Sequence, residues 1–81
     1  MMNGSSAAAL LYAKERFSVR LKLLQHGAGL SSRQLAMQSG ISRSAICRWR
    51  DGDAAPSMDA IVRLCLALDC TPNDLLGWER R

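Results

Sequence analysis

The stretch Ser31–Gly52, SSRQLAMQSGISRSAICRWRDG, reads as two short helices joined by a tight turn. Ser31 can cap the first helix, and Gln34 three residues on completes the spacing of a capping box. Leu35 and Ala36 supply that helix's inward face. Gly40 then allows a positive φ with no Cβ in the way, so the helix can stop and the chain can turn sharply. Ser42 caps a second helix whose Ala45, Ile46 and Trp49 face inward, while Arg43, Ser44, Cys47 and Arg48 fall on the opposite side. Gly52 ends it.

Ala36 has a size reason: it sits where two helices cross at a steep angle, and a larger side chain would force them apart. Small Ala36, turn-forming Gly40 and apolar Ile46 together have the spacing of a helix-turn-helix, whose second helix can lie in a DNA major groove. The charge distribution agrees. The 81 residues carry a formal charge of +4. From Lys14 to Arg50 there are eight basic residues and one acid, Glu15, whereas from Asp51 onward there are three basic residues and six acids. One half of the chain attracts a polyanion and the other does not.

Working outward toward the N-terminus, AAALLYAKERFSVRLKLLQH holds no Gly or Pro until Gly27, which predicts a helix from about Ala7, capped by Ser5 or Ser6. Phe17, Leu21 and Leu24 form its inward stripe, and Gly27-Ala28-Gly29 should break it. Leu10, Leu11 and Tyr12 lie upstream of that stripe. They read either as part of a disordered arm or as a helix packed on a second subunit, and the second reading is preferred because exposed Leu-Leu-Tyr is costly unless covered.

Toward the C-terminus, Asp51 to Pro56 reads as a loop, and Ser57 caps a fourth helix with Asp59 in its first turn. Ile61, Leu64, Cys65 and Leu68 make its buried face, with Cys65 a small apolar filler. Thr71 caps a short last helix with Pro72 at its first position, and Leu75 and Leu76 pack back on the core. Trp49 belongs to the core. Trp78, beyond the last leucines, is a candidate interface anchor.

Three cysteines without a CxxC pair fit a reduced, cytoplasmic chain, and a single histidine, His26, leaves no zinc constellation. No cofactor or metal is expected. No apolar run reaches membrane-spanning length, and the Ala-Leu segment near the start lacks the basic region of a signal peptide. One small domain is expected, too small to carry a separate ligand-sensing domain. No nucleophile, base and orienting group come together in the sequence, so it does not read as an enzyme.

From Phe17 to Leu76 the chain resembles the lambda-repressor/Cro family of helix-turn-helix DNA-binding domains, the xenobiotic-response-element type. The resemblance rests on GLS (29–31) before the motif, ISRSAICRWRDG (41–52) for the recognition helix, and the Pro56-Ser57-x-x-x-Ile61 opening of the next helix. It implies an all-α, compact five-helix lambda-repressor-like bundle, and the chain then divides into an N-terminal arm or helix extension over 1–13, upstream of what the family needs, the DNA-binding domain over 14–78, and a charged tail over 79–81. Carried onto this sequence, the base-reading positions are Arg43, Ser44, Cys47 and Arg48. The phosphate-contacting candidates are Ser31, Ser32, Arg33, Ser42 and Arg50. Leu10, Leu11, Tyr12 and Trp78 are the candidates for a dimer interface.

Two departures from the family stand out. Relatives commonly pair an Arg late in the first helix with a Glu late in the recognition helix; here the positions hold Gln25 and Arg50. The ion pair is gone, and Arg50 is expected to be free near the DNA. The loop DGDAA (51–55) carries acids where relatives often have basic residues. The resemblance implies a sequence-specific regulator, a small repressor or controller acting as a homodimer on a palindromic site in double-stranded DNA. The alternative is a protein-interaction adaptor of the same fold, an antitoxin-like module with weak or no base readout.

Overall fold

The computed structural model describes residues 3–77, with side chains from residue 7 onward. The described residues form five helices: α1 (Asn3–Ala28), α2 (Ser32–Ser39), α3 (Arg43–Arg50), α4 (Met58–Leu68) and α5 (Pro72–Leu76). No strand occurs among them. Each helix after the first opens on the cap its sequence announces. Ser31, Ser42, Ser57 and Thr71 accept hydrogen bonds from the backbone N–H three residues on, and Gln34 and Asp74 return the bond to complete two capping boxes. The bonds from Thr71 hold the Asp74 carboxyl below its ordinary value of 3.8.

Every helix contributes to one core: Phe17 and Leu21 from α1, Leu35 from α2, Ile46 and Trp49 from α3, Ala60, Leu64 and Leu68 from α4, and Leu75 from α5. Phe17 meets Trp49 edge to face, with ring centroids 5.8 Å apart. Burying each of the large side chains is worth about 1.5–3 kcal/mol, which holds helices too short to be stable alone. α1 packs on α3, α4 and α5, and α2 packs on α3 and α4.

Four details differ from the sequence reading. α1 begins at Asn3, so Ser5 and Ser6 lie within the helix and not at the position before its first residue. It also runs through Gly27; the break comes at Gly29, the first residue with a positive φ. In α4 the buried positions are Ala60, Leu64 and Leu68, while Ile61 and Cys65 sit on the flank of the core. Leu76 is exposed, since only Leu75 of the pair points inward.

The 26 residues of α1 span about 39 Å at 1.5 Å per residue, close to the 42 Å longest extent of the molecule. Its first turns therefore overhang the bundle, and Leu10, Leu11 and Tyr12 are half-exposed or more. α5 is held against the middle of α1 by two arginines. Arg16 donates to the Gly77 carbonyl, and Arg20 Nε donates to the Asp74 carbonyl at 2.8 Å. Gly77 is required there: its φ is +63°, and a Cβ would come within 2.8 Å of the Arg20 side chain. Arg16 and Arg20, part of the basic half in sequence, thus face α5. Among the described residues no helix is long and apolar enough to cross a membrane. Trp78 and the charged tail at 79–81 lie outside the described residues.

Candidate nucleic-acid interface

The α2–turn–α3 unit is fixed from within. Gly40 takes φ +73° and closes α2 through its N–H to the Ala36 carbonyl. Ser39, buried, donates its hydroxyl to the Leu35 carbonyl at 2.7 Å and accepts the Ile41 N–H at 3.2 Å. One side chain thereby satisfies both sides of the turn. Ser42 then accepts the Ala45 N–H at 3.1 Å and starts α3. A Cβ at residue 40 would need a strained left-handed backbone and would approach Arg63 Nη1 at 3.1 Å.

In α3, Ile46 and Trp49 are buried and Ala45 is half-buried, whereas Arg43, Ser44, Cys47 and Arg48 are exposed. The four residues expected to read bases therefore share one open face, as the amphipathic register of α3 dictates. Cys47 is the exposed thiol of the three. The other two meet at the end of α4, where the Cys65 carbonyl accepts both the Asp69 N–H and the Cys70 N–H, the latter at 3.0 Å. Burial first, and the neighbouring Cys65 second, push the Cys70 thiol up to about 12.

The start of α2 opens onto a polar cleft bordered by Lys22, Gln25, His26, Ser31, Ser32 and Arg50. Ser31 and Arg33 are exposed, and Ser32 is half-buried. Arg50 differs from expectation. It is half-buried and not free: its Nη1 donates to Gln25 Oε1 at 2.7 Å, and its carbonyl accepts the Ser18 hydroxyl at 2.6 Å. The two positions are joined by a charge-to-amide hydrogen bond. Gln25 Nε2 in turn donates to Ser32 Oγ at 3.1 Å. Asp51 and Asp53, just beyond α3, are exposed as the acidic loop suggested.

Two features go beyond the sequence reading. Lys22 and His26 border the cleft because they lie one turn apart on the exposed side of α1. Met58, Val62 and Leu66 form an outward apolar stripe on α4, 80%, 51% and 79% exposed. Their i, i+4, i+8 spacing was the available signal.

A family model for the Cro/C1-type helix-turn-helix DNA-binding domain matches residues 20–80. The HTH-type transcriptional activator BcrR of Enterococcus faecalis is 33% identical over 63 residues, covering 78% of this chain; the chain spans 31% of that relative's length. Among solved structures, the restriction-modification controller protein C.AhdI from Aeromonas hydrophila superposes with a TM-score of 0.71 at 35% identity, covering 84% of this chain and 97% of that one. An HTH_3 family transcriptional regulator from Vibrio cholerae superposes with a TM-score of 0.79 over 84% of this chain and 38% of its own; at 19% identity that is a likeness of fold.

Proposed function

The chain belongs to the Cro/C1-type helix-turn-helix DNA-binding family of transcription regulators, and from that premise we propose that it is a cytoplasmic, sequence-specific regulator acting as a homodimer on a palindromic site. The observation that carries the reading is the division of α3 into a buried face, Ile46 and Trp49, and an exposed face, Arg43, Ser44, Cys47 and Arg48. With α3 in the major groove, Arg43 and Arg48 can each donate two parallel hydrogen bonds to guanine O6 and N7, worth about 1–3 kcal/mol of discrimination apiece. Ser44 adds a less selective bond, and Cys47 packs against a thymine methyl.

Around that helix, the first N–H groups of α2, which have no acceptor within the helix, take a phosphate. Ser31, Ser32 and Arg33 frame that contact, Ser42 supports a second at the start of α3, and Arg50 contributes its charge. Residues 14–78 serve as the DNA-binding unit, with residues 3–13 an extension of the same helix. One recognition helix reads only a few base pairs, so two protomers on half-sites about 34 Å apart are required. Leu10, Leu11 and Tyr12 on the overhang, the outer stripe of α4, and Trp78 are the candidate faces for the second protomer.

The test is selection of bound duplexes from a random pool, read by sequencing. A palindrome with guanine in each arm is the expected result, and no enrichment would overturn base readout. The adaptor reading draws support from the exposed apolar stripe on α4 and the acidic loop; it predicts that no sequence is enriched and that a protein partner binds instead.

A further inference from the structure

Gln25 is 3% exposed, in the penultimate turn of α1, and both ends of its amide are engaged. Arg50 has only donors to offer, so the Gln25 oxygen must face it and the amide nitrogen must face Ser32. Ser32 Oγ is then obliged to accept. Its single hydroxyl proton is therefore not spent on Gln25, and among the described residues it meets no acceptor, so it is available to a group entering the cleft. Arg50 is held by a neutral partner, and among the described residues no carboxylate borders the cleft, whose other charged or titratable members are Lys22 and His26. Among the described residues the one ion pair is Arg63–Asp59 on α4. The full positive charge of Arg50 is therefore presented to whatever enters.

We infer that Gln25 is a positioning residue for a phosphate of the bound duplex, aiming the Ser32 hydroxyl outward and anchoring Arg50 without neutralising it. The inference rests on the DNA-binding reading above and adds to it the group that sets the polarity of the clamp. A carboxylate at this position has nearly the same shape and the opposite consequence. Its two oxygens accept from both neighbours, so Ser32 must turn its proton inward, and the charge of Arg50 is cancelled.

Gln25→Glu is thus the informative variant, studied in the full chain with a fluorescent ~20-base-pair duplex of mixed sequence across a range of salt. Thermal melting establishes that the variant is folded. Affinity at low salt is expected to fall about tenfold, and the slope of log K against log salt to shrink by about 0.9 per protomer, the signature of one phosphate that is no longer neutralised. Ser32→Ala should weaken the wild type about threefold and have no effect in the Gln25→Glu background, where the hydroxyl already points inward. A folded Gln25→Glu chain that binds with unchanged affinity and salt slope overturns the inference. Should that variant not fold, Ser32→Ala alone decides: unchanged binding overturns it as well. Wild-type chain that binds no duplex at any salt refutes the DNA-binding reading itself, a result separate from either variant.

Discussion

α3 and α4 are built alike and face solvent with opposite chemistry. Each starts on a serine whose hydroxyl accepts the N–H three residues on at 3.1 Å, and each buries one stripe in the common core. The outer side of α3 is Arg43, Ser44, Cys47 and Arg48; that of α4 carries the apolar stripe Met58, Val62 and Leu66 beside the mutually neutralised Asp59–Arg63 pair. The inner faces make the fold, so the outer faces are free to be specialised. A cationic, hydrogen-bonding face suits a polyanion, and an apolar stripe suits another protein surface.

The equivalence of the inner faces is tested most severely by Trp49→Ala. It removes the edge-to-face partner of Phe17 and should cost about 3–5 kcal/mol, most or all of the stability of a domain this size. A chemical-denaturation midpoint close to wild type would show that α3 is held by something other than its buried face. Arg43→Ala with Arg48→Ala comes next. Stability should change by no more than about 0.5 kcal/mol, while preference for the selected site over mixed sequence should drop by about 1–3 kcal/mol for each arginine. Salt-sensitive residual binding should persist.

On α4 the expected effect is smaller and of another kind. Val62→Glu leaves the core untouched, so melting should be nearly unchanged, but a charge in the apolar stripe should weaken self-association in analytical ultracentrifugation. Equal dimerisation would move the interface to the α1 overhang. The smallest effect belongs to Asp69, which ends α4 with a left-handed φ of +53° and a negative charge at a helix C-terminus. Asp69→Gly should raise stability by about 0.5–1 kcal/mol, the relief of strain and of the unfavourable dipole contact exceeding the added freedom of the unfolded chain.

What the sequence disclosed follows the range of the interactions. The caps at Ser31, Ser42, Ser57 and Thr71 join residues three apart, and the faces of α3 follow from one helical period, so both were legible. The rotation of α4 was not, because apolar residues lie nearly all round it and periodicity alone does not choose between 60/64/68 and 61/64/65/68. At the start of α1 the local signals, Gly4 and the candidate caps Ser5 and Ser6, pointed to a beginning near Ala7, and the helix runs through them to Asn3. The Arg50–Gln25–Ser32 chain joins three helices, and Arg16 and Arg20 turn toward α5 across more than fifty residues. No local pattern encodes such pairings.

Cys47 offers a direct reading of where DNA lies, since it is exposed in the middle of the outer face of α3 whereas Cys65 and Cys70 are half-buried against the core. The measurement is its rate of alkylation by a maleimide, free and in complex with the selected duplex, located by peptide mass spectrometry. Protection of Cys47 by more than about tenfold is expected for a helix seated in the major groove. An unchanged rate in a saturated complex would place the duplex on some other face and contradict the assignment.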